Sequence, residues 1–188
     1  MRGARLDEGF FAQDVVALAR ALVGCGLFVD GVGGRIVETE AYDPSEPASH
    51  SFRGPSARNA VMFGPPGRAY IYRIYGAHWC LNFVGGERPG AAVLIRALEP
   101  TDGLDVMRAR RGLQDPRRLC SGPGRLCQAM GITDAQNGLW LNEPPFSLIL
   151  AERSADIVAG PRIGITKAAA LPWRFGERAS SFLSRPFS

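Results

Sequence analysis

Lysine is almost missing from this chain. Of its 22 basic residues only Lys167 is a lysine, and the rest are arginines. Codon usage in a GC-rich genome is the plain account, although arginine also suits phosphate and stacking contacts. Histidine is scarce too, with only His50 and His78, and their spacing is not that of metal ligands. Cys25, Cys80, Cys120 and Cys127 form no C-x-x-C pair, so a structural zinc is not expected and no metal site is assigned. The chain has no secretory signal, and its cysteines sit in apolar or helix-like segments. They read as free thiols in a reducing cytoplasm, not as disulfides. The apolar run near the N-terminus is interrupted by Arg20 and is too short to cross a bilayer. There is no repeat, no low-complexity tract and no domain linker, and no Gly-x-Ser-x-Gly elbow of an esterase-like hydrolase.

What is present is a single globular domain. The 188 residues are 46% hydrophobic, enough to bury a core, and the net charge of +4 is compatible with a nucleic-acid partner without requiring one. Met1 to Gly9 reads as loosely ordered. Asp14 caps a core-packing helix with apolar residues at helical spacing from Val15 to Val23, stopped near Gly24. Cys25 to Val29 and Arg35 to Tyr42 read as two strands joined by a glycine-rich turn.

The second strand is unusual. Strict alternation puts Ile36, Glu38, Glu40 and Tyr42 on one face and Val37, Thr39 and Ala41 on the core face. The pattern leaves two readings open, a solvated sheet face or a site built on paired carboxylates. Asp43 to Gly67 is a long loop that holds His50, Arg53 and Arg58. Ala69 to Tyr75 and Trp79 to Val84 form a hairpin with Tyr75 at its tip beside Gly76. A large aromatic there is exposed and needs a partner, such as a gap between stacked bases. Ala92 to Leu98 is an apolar strand broken only by Arg96, which must be paired or aimed at an anion. Thr101 or Asp102 caps a helix to Arg111, and Asp115 to Arg118 is a basic loop. Gly122-Pro123-Gly124 precedes a helix from Arg125 to Met130 closed by Gly131, whose start could hold a phosphate. Phe146 to Ala151 and Arg162 to Thr166 read as short strands, and Pro172-Trp173-Arg174-Phe175 as a core edge or a partner contact. The expected class is α+β: a single domain, residues 1–188, with a mostly antiparallel curved β-sheet, surrounding helices and a protruding β-hairpin.

Several segments recur together in one known family. They are Val37-Glu38-Thr39-Glu40-Ala41-Tyr42, Ala48-Ser49-His50-Ser51, Met62-Phe63-Gly64-Pro65-Pro66-Gly67, Ala69-Tyr70-Ile71-Tyr72 and Ile74-Tyr75-Gly76. Cys80-Leu81-Asn82, Leu94 to Pro100 and Ser121 to Ala129 follow in order. The chain resembles the bacterial members of the alkyladenine (3-methyladenine) DNA glycosylase family, over nearly its whole length. That resemblance implies excision of alkylated or deaminated purines from double-stranded DNA after base flipping, with hydrolysis of the N-glycosidic bond and an abasic site as product. It implies Glu40 as the general base activating water, and Tyr42, His50, Tyr72 and Asn82 as the base pocket, with Asn82 crowding the guanine 2-amino group. It implies Tyr75 as the intercalating residue, Arg96 as a phosphate contact and Arg125 as a further one. Glu38 is not the matching position. No membrane partner, no cofactor, a monomer and a cytoplasmic, nucleoid-associated location complete the expectation. Imine chemistry needs an amine; Lys167 lies outside the motif stretch, which leaves the amino terminus as the other candidate and favours a monofunctional enzyme. After Phe175 the tail from Gly176 to Ser184 departs from the family's Gly-x-Pro-x-Val-Ser run, so its contacts are not carried over. The alternatives are a non-catalytic damaged-DNA-binding protein of the same fold, or an RNA-binding module of an acyl-transfer enzyme.

Overall fold

Eleven residues of one strand, β2 (Val32–Tyr42), touch most of the sheet. One edge of β2 pairs with β5 (Ala92–Asp102), and the other pairs first with β1 (Gly26–Val29) and then with β8 (Arg174–Glu177), all antiparallel. Beyond β5 lie β4 (His78–Val84) and β3 (Ala69–Ile74), β6 (Phe146–Ile149) flanks β1, and β7 (Ile157–Gly160) flanks β8. The result is one curled eight-stranded sheet with helices α1 (Glu8–Phe11), α2 (Val15–Leu22), α3 (Leu104–Arg111) and α4 (Pro123–Met130) around it, the α+β class expected. The computed structural model describes residues 6–187.

Period-two alternation sorts the sheet into two faces. Ala41, Ile71, Leu81, Phe83, Val93 and Ile95 enter the main core, against Leu18 and Leu22 of α2. Their neighbours Tyr42, Tyr72, Asn82, Leu94 and Arg96 face a cavity on the other side. The alternation fails once in β2. Ile36 faces Leu98 and Glu38 faces Ala97, so Val37 is an extra residue, and Ile36 joins the core instead of the carboxylate face. A second irregularity follows at once, because Ala97 and Ile95 face Glu38 and Thr39 and leave Arg96 as the extra residue of β5. A bulge re-aims a side chain. These two, side by side, turn Glu38 and Arg96 toward each other.

Other expectations are corrected at their edges. Met1 to Arg5 lie outside the described residues, but Leu6 is buried and Asp7 caps α1, so the segment up to Gly9 is not loose where it is described. β5 continues to Asp102, held opposite Gly33, so neither Thr101 nor Asp102 caps α3; Gly103 does, in the left-handed region. Pro116 to Arg118 is a 3₁₀ turn, and α4 begins two residues early, at Pro123, because proline tolerates the first helical position. Phe146 to Ala151 is a strand only as far as Ile149. Arg162 to Thr166 is not a strand but a loop, and the strand nearby is β7. Of Pro172-Trp173-Arg174-Phe175, Arg174 and Phe175 are buried on β8, Trp173 packs half-buried against the core and Pro172 is exposed. All four cysteines are buried free thiols.

Two glycines set how closely β2 can be approached. A Cβ on Gly33 would meet the Leu27 carbonyl oxygen at 2.0 Å, and one on Gly34 the Glu99 carbonyl oxygen at 2.0 Å. Both obstacles are backbone atoms and cannot turn away. Gly34→Ala is therefore expected to cost about 3 kcal/mol, at the upper end for overpacking, read as a lower urea midpoint with an unchanged slope.

Candidate active site

Burial of two carboxylates defines this site. Glu38 and Glu40 are both 0% exposed, which overturns the reading of a solvated face. A charge removed from water must be paired and hydrogen-bonded. Glu38 accepts from Arg96 Nε at 3.0 Å, Arg174 Nε at 2.7 Å, Ser184 Oγ at 2.7 Å and the Ser184 amide at 2.6 Å. Glu40 accepts from the Ile163 amide at 2.8 Å and from the Tyr42 hydroxyl at 2.8 Å, and Arg96 Nη1 lies 3.3 Å from its Oε1. The two carboxylates thus share the Arg96 guanidinium, while Arg174 serves Glu38 alone.

The partners of Glu40 lead outward to a cavity of about 300 Å³, because Tyr42, Arg96 and Ile163 all line it. Its walls are aromatic. Tyr70 and Tyr72 stack at 5.6 Å between centroids, and the His50 ring meets Tyr72 edge-on at 4.4 Å. His50 Nδ1 lies 3.1 Å from the Tyr70 hydroxyl, which fixes a loop residue against the strand. Asn82 is buried, donates to the Tyr70 carbonyl at 3.2 Å and faces the cavity from β4. The structure therefore brings Tyr42, His50, Tyr72 and Asn82 together around one space.

Burial sets the ionisation here. It raises the Glu40 carboxyl above the ordinary value, with Glu38 adding to the rise, while Arg96, the Ile163 amide and Tyr42 oppose it. Burial and then the Glu40 charge push the Tyr42 phenol far up, so it stays protonated and donates. Burial also pushes the Tyr70 phenol to about 12 and lowers His50, which the Arg58 charge lowers further, leaving the imidazole neutral at pH 7.

Tyr75 stands at the turn between β3 and β4 with its side chain 88% exposed. Both Tyr75 and Gly76 have positive φ, at 51° and 66°. That conformation is uncommon for a bulky residue, and here it carries the ring to the cavity's rim. Arg125 is also exposed, on the first turn of α4, held by Ser121, and Pro123 of the same turn lines the cavity. Burial lowers Arg111 below its ordinary value, and the neighbouring Arg125 and Arg118 charges lower it further.

Arg96, expected at a phosphate, is 7% exposed at the cavity wall and serves as counter-ion to Glu38 and Glu40. The bulge on β5 is the reason, since it turns the guanidinium into the carboxylate pair. Lys167 also moves: it is exposed on the loop that follows the cavity residues Ile163, Gly164 and Ile165, so its distance in sequence is no measure of its distance in space. Sequence reasoning missed Arg162, Arg174 and Ser184. Arg162 is buried behind Tyr42, 4.6 Å from the ring centroid, and bonds Glu46 at 2.7 Å and the Ala41 carbonyl at 2.9 Å. Trp173-Arg174-Phe175 was a visible cue for Arg174, while no signal pointed to Ser184.

The geometry defines a class: an aromatic pocket for a flat ring, backed by a buried carboxylate with its own counter-ion, under an exposed aromatic on a hairpin. Comparison with known proteins adds the family. The family model described as Methylpurine-DNA glycosylase (MPG) matches residues 9–181. A protein of Rhodopseudomonas palustris (strain BisB18) is 60% identical over 187 residues, 99% of this chain and 94% of its own. One of Nitrosospira multiformis is 62% identical over 180 residues, 94% of this chain and 92% of its own. One of Rhizobium etli is 57% identical over 188 residues, 98% and 93%. All three carry the name "Putative 3-methyladenine DNA glycosylase". The chain belongs to the methylpurine-DNA glycosylase family.

Removing Glu38 would leave Arg96 and Arg174 buried without their shared acceptor. Glu38→Ala is expected to lose about 3–5 kcal/mol, the cost of breaking a buried pair from one side, measured by urea denaturation.

Proposed function

We propose that this protein is a monofunctional DNA glycosylase that removes damaged purines from duplex DNA. The observation that carries the reading is the placement of Glu40, buried yet bonded to three groups that wall an aromatic cavity below Tyr75. In this reading the duplex hides the glycosidic bond, so the nucleotide turns out into the cavity and Tyr75 fills the gap in the stack. Tyr42, Tyr72 and His50 hold the flat base. Alkylation at a purine ring nitrogen leaves a positive charge, and aromatic faces attract it. Deaminated purines, which are neutral, rely on stacking and on His50. Asn82 crowds the edge where guanine carries its amino group.

Ionised Glu40 takes the proton of the attacking water and stabilises the positive charge that grows on the sugar. The bond to the base breaks as the bond from water oxygen to C1′ forms, and the strand stays intact. Arg96 keeps Glu40 ionised against its burial, and the Tyr42 and Ile163 hydrogen bonds fix its orientation. A protein that only recognised damage would need the wedge and the arginines but not this carboxylate. The substrate is double-stranded DNA, engaged by one copy of the chain per lesion.

The test is single-turnover excision of 7-methylguanine, 3-methyladenine or hypoxanthine from duplex DNA. The parent releases base, leaves an unbroken abasic strand and gives no adduct on borohydride reduction; an adduct would transfer the chemistry to an amine such as Lys167. Glu40→Gln excises ~10²–10⁴-fold more slowly, the usual worth of a general base. A parent rate in that variant would remove Glu40 from the role. The pH dependence has a definite sign. The base works ionised and its pKa is raised, so the rate falls with falling pH along a limb that lies above the ordinary carboxylate range.

Tyr75→Ser tests the wedge. Lost stacking of about 1–3 kcal/mol weakens binding to lesion-bearing duplex roughly five- to 150-fold, seen by fluorescence anisotropy. Equal affinity for parent and variant would contradict the assignment.

A further inference from the structure

We propose that Ser184 is a positioning residue: its hydroxyl fixes the Arg96 guanidinium so that one nitrogen faces Glu40 and the others face Glu38 and Ser184 itself. The inference rests on the proposed role of Glu40. The Ser184 hydroxyl bridges two groups, donating to Glu38 Oε1 at 2.7 Å and accepting from Arg96 Nη2 at 3.3 Å. Arg96 Nε donates to the same Glu38 oxygen at 3.0 Å, which closes a ring of three side chains. Only Nη1 is left for Glu40, at 3.3 Å. The guanidinium is a flat fork, so fixing two of its nitrogens fixes the third.

Ser184 is itself held. Its amide donates to Glu38 Oε2 at 2.6 Å. Arg174 bonds the carbonyl groups of Arg185 and Pro186 and lies 3.9 Å from the Phe187 ring centroid. The C-terminal segment is thereby strapped across the carboxylate pair. Ser184 does not line the cavity, so it acts through Arg96 and not on substrate. It also lies beyond residue 181, where the family match ends.

Without the hydroxyl, Arg96 Nη2 loses its acceptor and Glu38 loses a donor. Arg96 then turns toward Glu38 and away from Glu40. The other groups facing Glu40 do not replace it: Tyr42 on β2 and the Ile163 amide keep their single bonds, and Glu38, Tyr72 on β3 and Cys80 on β4 bring no positive charge. Glu40 ionises at higher pH as a result.

Parent, Ser184→Ala and Ser184→Thr are compared in two ways. Excision is measured in single turnover between pH 5.5 and 8.5. The Glu40 carboxyl is titrated by ¹³C NMR in full-length protein, assigned with Glu40→Gln. In Ser184→Ala the NMR midpoint rises and the rate falls about fivefold on the acid side of the Glu40 midpoint while staying within about twofold of the parent on its alkaline side. Ser184→Thr, which keeps the hydroxyl, restores both. An unchanged midpoint in Ser184→Ala overturns the proposal, as does a rate loss equal at every pH, which would mark a merely structural role. If the parent excises no base, the glycosylase reading falls, and the NMR midpoints still decide the positioning role.

Discussion

Two carboxylates on one buried strand face are the constraint that the rest of this structure answers. Isolated, each would cost several kcal/mol to remove from water, more than a domain of this size can absorb. The answer is spread over the chain. Arg96 comes from β5, Arg174 from β8, the Ile163 amide from an irregular loop and Ser184 from the C-terminal segment. Segments far apart in sequence therefore converge on Glu38 and Glu40. Hydrophobic burial on the opposite face supplies the stability, and the charged cluster supplies the geometry.

The bulges at Val37 and Arg96 connect these two tasks. A strand in strict alternation would have put Ile36 beside Glu38 and wasted an apolar side chain on the polar face. The extra residue returns Ile36 to the core. The matching extra residue on β5 delivers an arginine to the carboxylates. One sheet can then present a dry core on one side and a polar-floored aromatic cavity on the other, with the hairpin of β3 and β4 extended to lift Tyr75 above it.

Much of this was legible in the sequence where the cues are local. The Asp14 cap, the β3–β4 hairpin with Tyr75 at its tip, and the grouping of Glu38, Glu40 and Tyr42 depend on neighbours a few residues apart. The motif order carried His50, Tyr72 and Asn82 to the same pocket. What was not legible depends on pairing across the chain. Nothing local says that Arg96 ends between two glutamates, because that follows from the register of β2 against β5. Arg162 to Thr166 has the apolar alternation of a strand but no edge to pair with, and it becomes cavity wall instead. Ser184 sits in a segment with no periodicity, and its role exists only because Arg174 straps it down. Burial of Arg162 behind Tyr42 was hidden for the same reason, since its shortest bonds run to Glu46 and the Ala41 carbonyl, more than a hundred residues away.

The most direct measurement is a crystal structure of Glu40→Gln bound to a duplex carrying a single hypoxanthine. The base is expected turned out of the helix, between Tyr42, Tyr72 and His50, with the Tyr75 ring in the vacated step and C1′ of the sugar facing residue 40. A base still stacked in the duplex, or one seated away from residue 40 with Tyr75 outside the helix, would contradict it.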